Sequence, residues 1–280
     1  MATGISINVG GRIIVFDVPK VMGIINVTPD SFYAGSRVSG AEAVADRVAR
    51  MRDEGADILD LGGYSSRPGA DEVSAEEEYR RLAEGLEVIR RVWSDAVVSV
   101  DTFRADVAHK CVREWGADII NDISGGDLDP EMWDTVAELG VPYVLMHMRG
   151  NPQTMGTLTD YNDVSADTLT DLALKTAELR QRGVADVIVD PGFGFAKTVE
   201  QNYRLLSDLS EFRALGAPLL VGISRKTMIW KPLGIVPEQA GNGTTVLNTI
   251  ALLNGADILR VHDVREAVEA VHLVELFKNK

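Results

Sequence analysis

The sequence predicts an α/β protein, a single (β/α)8 TIM barrel preceded by an N-terminal β-hairpin, and three observations carry that expectation. The first is a repeated punctuation: Gly55-Ala56-Asp57-Ile58, Gly116-Ala117-Asp118-Ile119 and Gly255-Ala256-Asp257-Ile258, with looser versions at Gly140-Val141-Pro142, Gly183-Val184-Ala185 and Gly216-Ala217-Pro218. Each glycine follows a helical pattern and precedes an apolar run. A glycine that closes a helix, then a run buried on both faces, gives a recurring unit of helix, tight turn and parallel strand. The second is the number of such runs: 21–27, 57–62, 97–101, 118–123, 143–148, 187–190, 219–223 and 258–262 read as eight strands. The third is the spacing between them. Ala41, Val44, Ala45, Val48 and Met51, like Val264, Ala267, Val268, Val271 and Val274, place one apolar helix face on a sheet.

Eight alternating units in 280 residues fit a closed barrel better than an open doubly wound sheet. Residues 5–16 alternate apolar and polar about Gly10-Gly11 and predict a hairpin, so that 1–18 form an extension before the barrel. No linker or low-complexity tract divides the chain, and 1–280 are expected to form one domain.

The formal net charge of -14 and the pI of about 4.7 exclude a diffuse basic surface, and with it nucleic acid or anionic lipid as partners. The single cysteine, Cys111, excludes an intrachain disulfide and a zinc site of paired cysteines; it reads as an inert thiol on a helix. The apolar run 13–16, flanked by Arg12 and Asp17, is too short for a signal-peptide core, and no stretch approaches a membrane span, so a cytoplasmic protein is expected.

In such a barrel the active site lies at the carboxyl ends of the strands. The first strand delivers Asn26 and runs into Val27-Thr28-Pro29-Asp30-Ser31-Phe32. The second delivers Gly62-Gly63-Tyr64-Ser65-Ser66-Arg67-Pro68-Gly69. The third ends in Asp101-Thr102, the fourth in Asn121-Asp122, the fifth in His147 and the sixth in Asp190-Pro191-Gly192. The seventh ends in Ser224-Arg225-Lys226, and the eighth presents Arg260, His262 and Asp263. Acceptors thus gather on the third, fourth and sixth strands, cations on the second, seventh and eighth. Buried carboxylates require donors, and arginine matches phosphate oxygens in a fork, so the pattern fits a small, phosphorylated, nitrogen-rich substrate.

Blander readings stand beside these. Asp101 and Asp190 could cap the loops that follow them. His147, between Met146 and Met148, reads as a packed histidine, Arg225 as a rim ion pair, and Gly62-Gly63 as room for close backbone passage. Glu76-Glu77-Glu78 reads as the solvated first turn of a helix. The four tryptophans, Trp93, Trp115, Trp133 and Trp230, show no regular spacing and receive no role.

Five strings, Asn26-Val27-Thr28-Pro29-Asp30-Ser31-Phe32, Ser65-Ser66-Arg67-Pro68-Gly69, Asp190-Pro191-Gly192-Phe193-Gly194-Phe195, Ser224-Arg225-Lys226 and Arg260-Val261-His262-Asp263, resemble in order the motif set of the dihydropteroate synthases, pterin-binding barrel enzymes. The resemblance covers essentially the whole barrel. It implies a transferase of folate (tetrahydrofolate) biosynthesis that joins 6-hydroxymethyl-7,8-dihydropterin diphosphate to p-aminobenzoate, releases pyrophosphate and is a sulfonamide target. It further implies that Asp101, Asn121, Met146, Asp190, Phe195 and Lys226 hold the pterin. Asn26, Arg67, Arg260 and His262 would hold the diphosphate, with Asn26 placing Mg²⁺, and Phe32, Ser66, Pro68 and the stem of Lys226 would take p-aminobenzoate. Asp101, Lys226, Arg260 and His262 would act in catalysis, and a homodimer through barrel helices is implied. The sequence departs from the family at Tyr64, where glutamate is frequent, and at Tyr33-Ala34-Gly35-Ser36-Arg37. The rival functions are a methyltetrahydrofolate-corrinoid methyltransferase, which has no need of the cations Arg67, Arg260 and His262, a metal-dependent hydrolase, for which the first strand offers Asn26 rather than a pair of histidines, and a non-catalytic pterin-binding relative.

Overall fold

A computed structural model describes residues 4–27, 37–64 and 73–278. Two short strands, β1 (Ser6–Val9) and β2 (Arg12–Val15), pair antiparallel around Gly10-Gly11, so the expected hairpin is present. The eight strands that follow are β3 (Lys20–Asn26), β4 (Ile58–Gly62), β5 (Val97–Asp101), β6 (Ile119–Asp122), β7 (Tyr143–Met146), β8 (Val187–Asp190), β9 (Leu220–Val221) and β10 (Ile258–Val261). All their pairings are parallel, in the order β8-β7-β6-β5-β4-β3-β10-β9, and a parallel bridge between Val189 and Leu219 brings the two ends together into a barrel. The strands match the sequence reading in number and place, and several are a residue or more shorter at their ends.

Outside the strands lie α1 (Arg37–Glu54), α2 (Ala75–Val92), α3 (Ala105–Trp115), α4 (Met132–Leu139), α5 (Val164–Gln181), α6 (Val199–Ser207), α7 (Thr227–Leu233), α8 (Gly241–Leu253) and α9 (Val264–Lys278). Gly116 closes α3 in the left-handed region at φ 64°, as the Gly-Ala-Asp repeat requires. The aspartate of the repeat has a role that the glycine reading did not supply. Asp57 accepts the Val21 N–H at 2.8 Å, Asp118 that of Val98 at 2.8 Å and Asp257 that of Leu219 at 2.9 Å. Each therefore caps the start of the neighbouring strand, where the ladder leaves a backbone donor unpaired.

The hairpin plugs the amino-terminal end of the barrel. Ile7, Val9 and Phe16 pack on an inward layer contributed by every strand: Met22, Ile58, Val97, Ile119, Val144, Ile188, Leu220 and Ile258. Because side chains on a strand alternate between faces, the residues two and four positions further along point inward too, nearer the mouth. These are Ile24 and Asn26, Asp60 and Gly62, Ser99 and Asp101, Asn121, Met146, Asp190, Gly222, Arg260 and His262. One strand period therefore separates a dry floor from a polar layer.

One expectation fails at α2. Ser74 caps it, its hydroxyl accepting the Glu77 N–H at 3.2 Å, and Glu76 is solvated as expected. Glu78, in contrast, is wholly buried and ion-paired with Arg104. Consecutive helical residues are about 100° apart, so three in a row cannot all face water on a helix packed against a barrel.

Candidate active site

Four neighbouring strands bring the first groups together at the mouth. Asn26 pairs with Gly62, Gly62 with Asp101, and Asp101 with Asn121, so these four occupy one row across the sheet. Gly62 leaves this row close-set: a Cβ there would stand 3.3 Å from Asn26 Oδ1, a tight contact, and 3.7 Å from Asp101 Cβ. The expectation of close passage at Gly62-Gly63 is met, since a Cβ on Gly63 would lie 3.0 Å from the Glu78 carbonyl oxygen.

Beneath that row, Arg260 donates Nε to Asp60 at 2.7 Å and Nη2 to Asp101 at 2.7 Å, with Nη2 also 2.6 Å from Asp60. Asn121 donates Nδ2 to the same Asp60 carboxylate at 3.1 and 3.3 Å. Burial disfavours the Arg260 cation, but Asp60 and Asp101 outweigh it and its pKa is raised. Asp101 is held above the ordinary carboxylate range by burial, against the pull of Arg260. The expected separation into acceptor and cation poles is thus blurred, because Arg260 reaches from the eighth barrel strand into the acceptor layer.

Asp60 was not among the residues singled out from the sequence. The signal was present: a carboxylate at the centre of Ile58-Leu59-Asp60-Leu61 is rare in a buried strand unless it is paired.

The opposite wall comes from the turn after β8 and the turn between β9 and α7. Lys226 donates to the Phe193 carbonyl at 2.5 Å, and its ammonium lies 4.6 Å from the centre of the Phe195 ring. Burial pushes its pKa down to about 8, while Asp190 opposes the shift. Asp190 is raised by burial, opposed by Lys226 and by the Gly192 N–H, which it accepts at 2.8 Å. The capping reading of Asp190 therefore holds together with its place in the pocket. Met146 and Phe195 meet in a small apolar cluster with Ile123, Met148, Met155 and Ala196. This sets an apolar cluster beside the polar layer.

At the end of β10, His262 Nδ1 lies 3.0 Å from Ser224 Oγ, and the same oxygen accepts the His262 backbone N–H at 3.2 Å. Burial, followed by the charge of Arg260, lowers the His262 pKa to about 4, so the ring is neutral near pH 7. Arg225 forms a two-pronged ion pair with Asp263 at 2.9 Å for each contact, the rim role expected of it.

His147 is 3% exposed and accepts from Lys197 Nζ at 3.0 Å, a packed histidine as expected. Lys197 also donates to the carbonyls of Gly192 and Phe195, at 3.1 and 3.2 Å, and so holds the turn that bears Phe195. Cys111 is buried and its thiol is pushed up to about 12, in keeping with an inert residue. Tyr64 stands edge-on to Phe103 at 5.4 Å, and Arg104 lies over the Phe103 ring at 4.7 Å. Phe32, Ser66, Arg67 and Pro68 lie outside the described residues. Of the site residues expected from sequence, Asn26, Asp101, Asn121, Met146, Asp190, Phe195, Lys226, Arg260 and His262 line this end of the barrel.

A polar, carboxylate-rich layer at the C-terminal end of a (β/α)8 barrel stands where enzymes of this fold carry their active sites. The family described as pterin binding enzyme matches residues 22–262. The dihydropteroate synthase of Escherichia coli strain K12 is 43% identical over 262 residues, covering 92% of this chain and 91% of that one. Among solved structures, the Xanthomonas albilineans dihydropteroate synthase with 4-aminobenzoic acid superposes with a TM-score of 0.89 at 38% identity, covering 98% of both chains. The Yersinia pestis dihydropteroate synthase in complex with a sulfonamide drug gives 0.90 at 38% identity, covering 98% of this chain and 100% of that one. The chain therefore belongs to the pterin-binding enzyme family and, within it, to the dihydropteroate synthases.

Proposed function

We propose that the barrel mouth condenses 6-hydroxymethyl-7,8-dihydropterin diphosphate with p-aminobenzoate to give 7,8-dihydropteroate and pyrophosphate, a transferase step of folate biosynthesis. The observation that carries this reading is the single polar layer in which Asp60, Asp101, Asn121 and Arg260 are joined by hydrogen bonds, faced by Asp190 and Lys226. A pterin edge carries several N–H donors and one carbonyl. It is matched by the acceptors Asn121, Asp190 and Asp101 and by the Lys226 ammonium. Met146 and Phe195 take the ring faces.

Negative charge grows on the leaving diphosphate as its bond to the pterin methylene breaks, and His262, Arg67 and the Arg260 side chain are the groups assigned to it. A neutral His262 gains a proton as the phosphates arrive, because an adjacent anion raises its pKa. Asp101 stabilises the positive charge left on the methylene. The arylamine nitrogen, held by Phe32, Ser66, Pro68 and the Lys226 stem, forms the new C–N bond and then loses a proton. No covalent bond to the enzyme is required, and proximity supplies much of the acceleration.

For Mg²⁺, Asn26 is exposed at the end of β3 and offers one hard amide oxygen, and no group of three His, Cys, Asp or Glu residues gathers among the described residues. That donor set fits an ion shared between Asn26 and substrate oxygens better than an all-protein cage. When bound, Mg²⁺ would offset charge on the diphosphate.

The test is pyrophosphate release from the pterin diphosphate with Mg²⁺, with and without p-aminobenzoate. Release that requires the arylamine and is slowed by sulfonamide analogues supports the reading; tight pterin binding without release contradicts it.

The same proposal includes one working domain in the cytoplasm and a homodimer. No helix among the described residues is long and apolar enough to cross a membrane. Val246, Leu253, Leu273 and Phe277 on α8 and α9 are 50%, 48%, 65% and 67% exposed, an apolar face of the kind that subunit contacts cover.

A further inference from the structure

An asparagine amide has a donor end and an acceptor end, and a neighbour decides which of them a ligand meets. For Asn121 that neighbour is Asp60. This carboxylate is wholly buried and takes Asn121 Nδ2 at 3.1 and 3.3 Å while also taking Nε and Nη2 of Arg260. Its two oxygens accept from the guanidinium and from the amide alike, so it selects the NH2 end of the amide. Turning the amide over would set its oxygen against the carboxylate oxygens. No hydrogen bond reaches Asn121 Oδ1 among the described residues, yet Oδ1 is absent from the sealed, unpartnered side-chain atoms. It is therefore neither paired nor sealed within the protein, and it stands in the inward row at the barrel mouth. Arg260 reinforces the arrangement, because its two contacts with Asp60 hold that carboxylate in place.

We propose that Asp60, which the described site gives no contact with substrate, determines the specificity of the pocket by locking Asn121 as an acceptor. A heterocycle presenting N–H groups at that edge is taken, and one presenting an acceptor there is refused. The inference rests on the synthase reading and adds to it a residue that acts through another. Asp60 is thus a positioning residue.

The experiment uses the full chain and measures KM for the dihydropterin diphosphate and for p-aminobenzoate in wild type, Asp60→Asn and the double variant Asp60→Asn/Asn121→Asp. An amide at 60 can meet either end of Asn121, so the lock is lost. A carboxylate at 121 accepts on both sides, from the new amide and from the ligand, so the acceptor edge returns. The expected result is a pterin KM raised at least tenfold in Asp60→Asn with the p-aminobenzoate KM within twofold of wild type, and recovery to within threefold in the double variant. An unchanged pterin KM in Asp60→Asn, equal rises for both substrates, or a double variant as impaired as the single one would overturn the proposal. Should the variants not fold, the wild type decides: a pterin carrying oxygen in place of its 2-amino group must bind at least tenfold more weakly, and equal binding overturns it. Wild type without arylamine-dependent pyrophosphate release would refute the synthase reading instead, which separates the two failures.

Discussion

Lys226→Met removes one charge from the pocket while keeping the length of the stem. The ammonium donates to Phe193 and lies over Phe195. A hydrogen bond from a charged donor contributes about 1.5–3 kcal/mol and a cation over a ring about 0.5–2 kcal/mol. Against this, burial lowers the pKa from 10.5 to about 8, a strain of roughly 3 kcal/mol at about 1.36 kcal/mol per pH unit. The two nearly cancel, so the free protein should lose less than about 2 kcal/mol of stability. Binding has no such compensation. A pterin carbonyl that loses a charged donor should cost about 2–3 kcal/mol, or roughly 30- to 150-fold in kcat/KM. Because the cation exists below about pH 8 and is lost above it, wild-type kcat/KM for the pterin substrate should decline on the alkaline side with an apparent pKa near 8. Lys226→Arg, which stays charged, should move that decline upward. The assay is the pH profile of arylamine-dependent pyrophosphate release, with urea unfolding alongside. An alkaline limb unchanged in both variants, or a loss of activity matched by a loss of stability, would refute the reasoning.

Other perturbations test separate parts of the structure. Arg260→Leu leaves Asp60 and Asp101 without their shared cation and should cost about 3–5 kcal/mol in urea unfolding at pH 8; since Asp101 already lies above the ordinary carboxylate range, the deficit should shrink by pH 6 as it protonates, and a pH-independent deficit would contradict this. His147 is held down to about 2, first by burial and then by Lys197, so its depressed folded pKa gives a contribution complete above 6.5 and lost as pH falls toward 2. Between pH 7 and 4.5 wild type should therefore lose about 2–3 kcal/mol more than His147→Gln in denaturant titrations, and parallel losses would remove His147 as the cause. Leu273→Glu with Phe277→Glu should convert a dimer to a monomer in light scattering; an unchanged mass would place the interface elsewhere.

Much of this arrangement was legible in the chain because it repeats. The helix-closing glycines and doubly buried runs marked eight βα units, and strand alternation places Asn26, Asp101, Asn121, Asp190 and Arg260 on the inward face near the mouth. What escaped has a common physical origin: pairing across long sequence separations. Asp60 and Arg260 lie 200 residues apart, and only the closed barrel brings them together. The same holds for Lys197 beneath His147, 50 residues away, and for the Gly-Ala-Asp aspartates, whose partners are on the adjacent strand. Glu78 was misread because its run of three acids looks uniform in sequence but wraps around a helix. Tyr64, a departure in sequence, finds an aromatic and cationic setting with Phe103 and Arg104 that composition does not forecast.

The most direct test is a crystal structure of this chain with 6-hydroxymethyl-7,8-dihydropterin diphosphate and Mg²⁺. The pterin N–H edge is expected within hydrogen-bonding distance of Asn121 Oδ1 and the Asp190 carboxylate, its carbonyl at Lys226, and the diphosphate directed toward Asn26 and His262. A ring bound in the reverse sense, with its phosphates over Asp190 and Lys226, or bound clear of the polar layer, would contradict it.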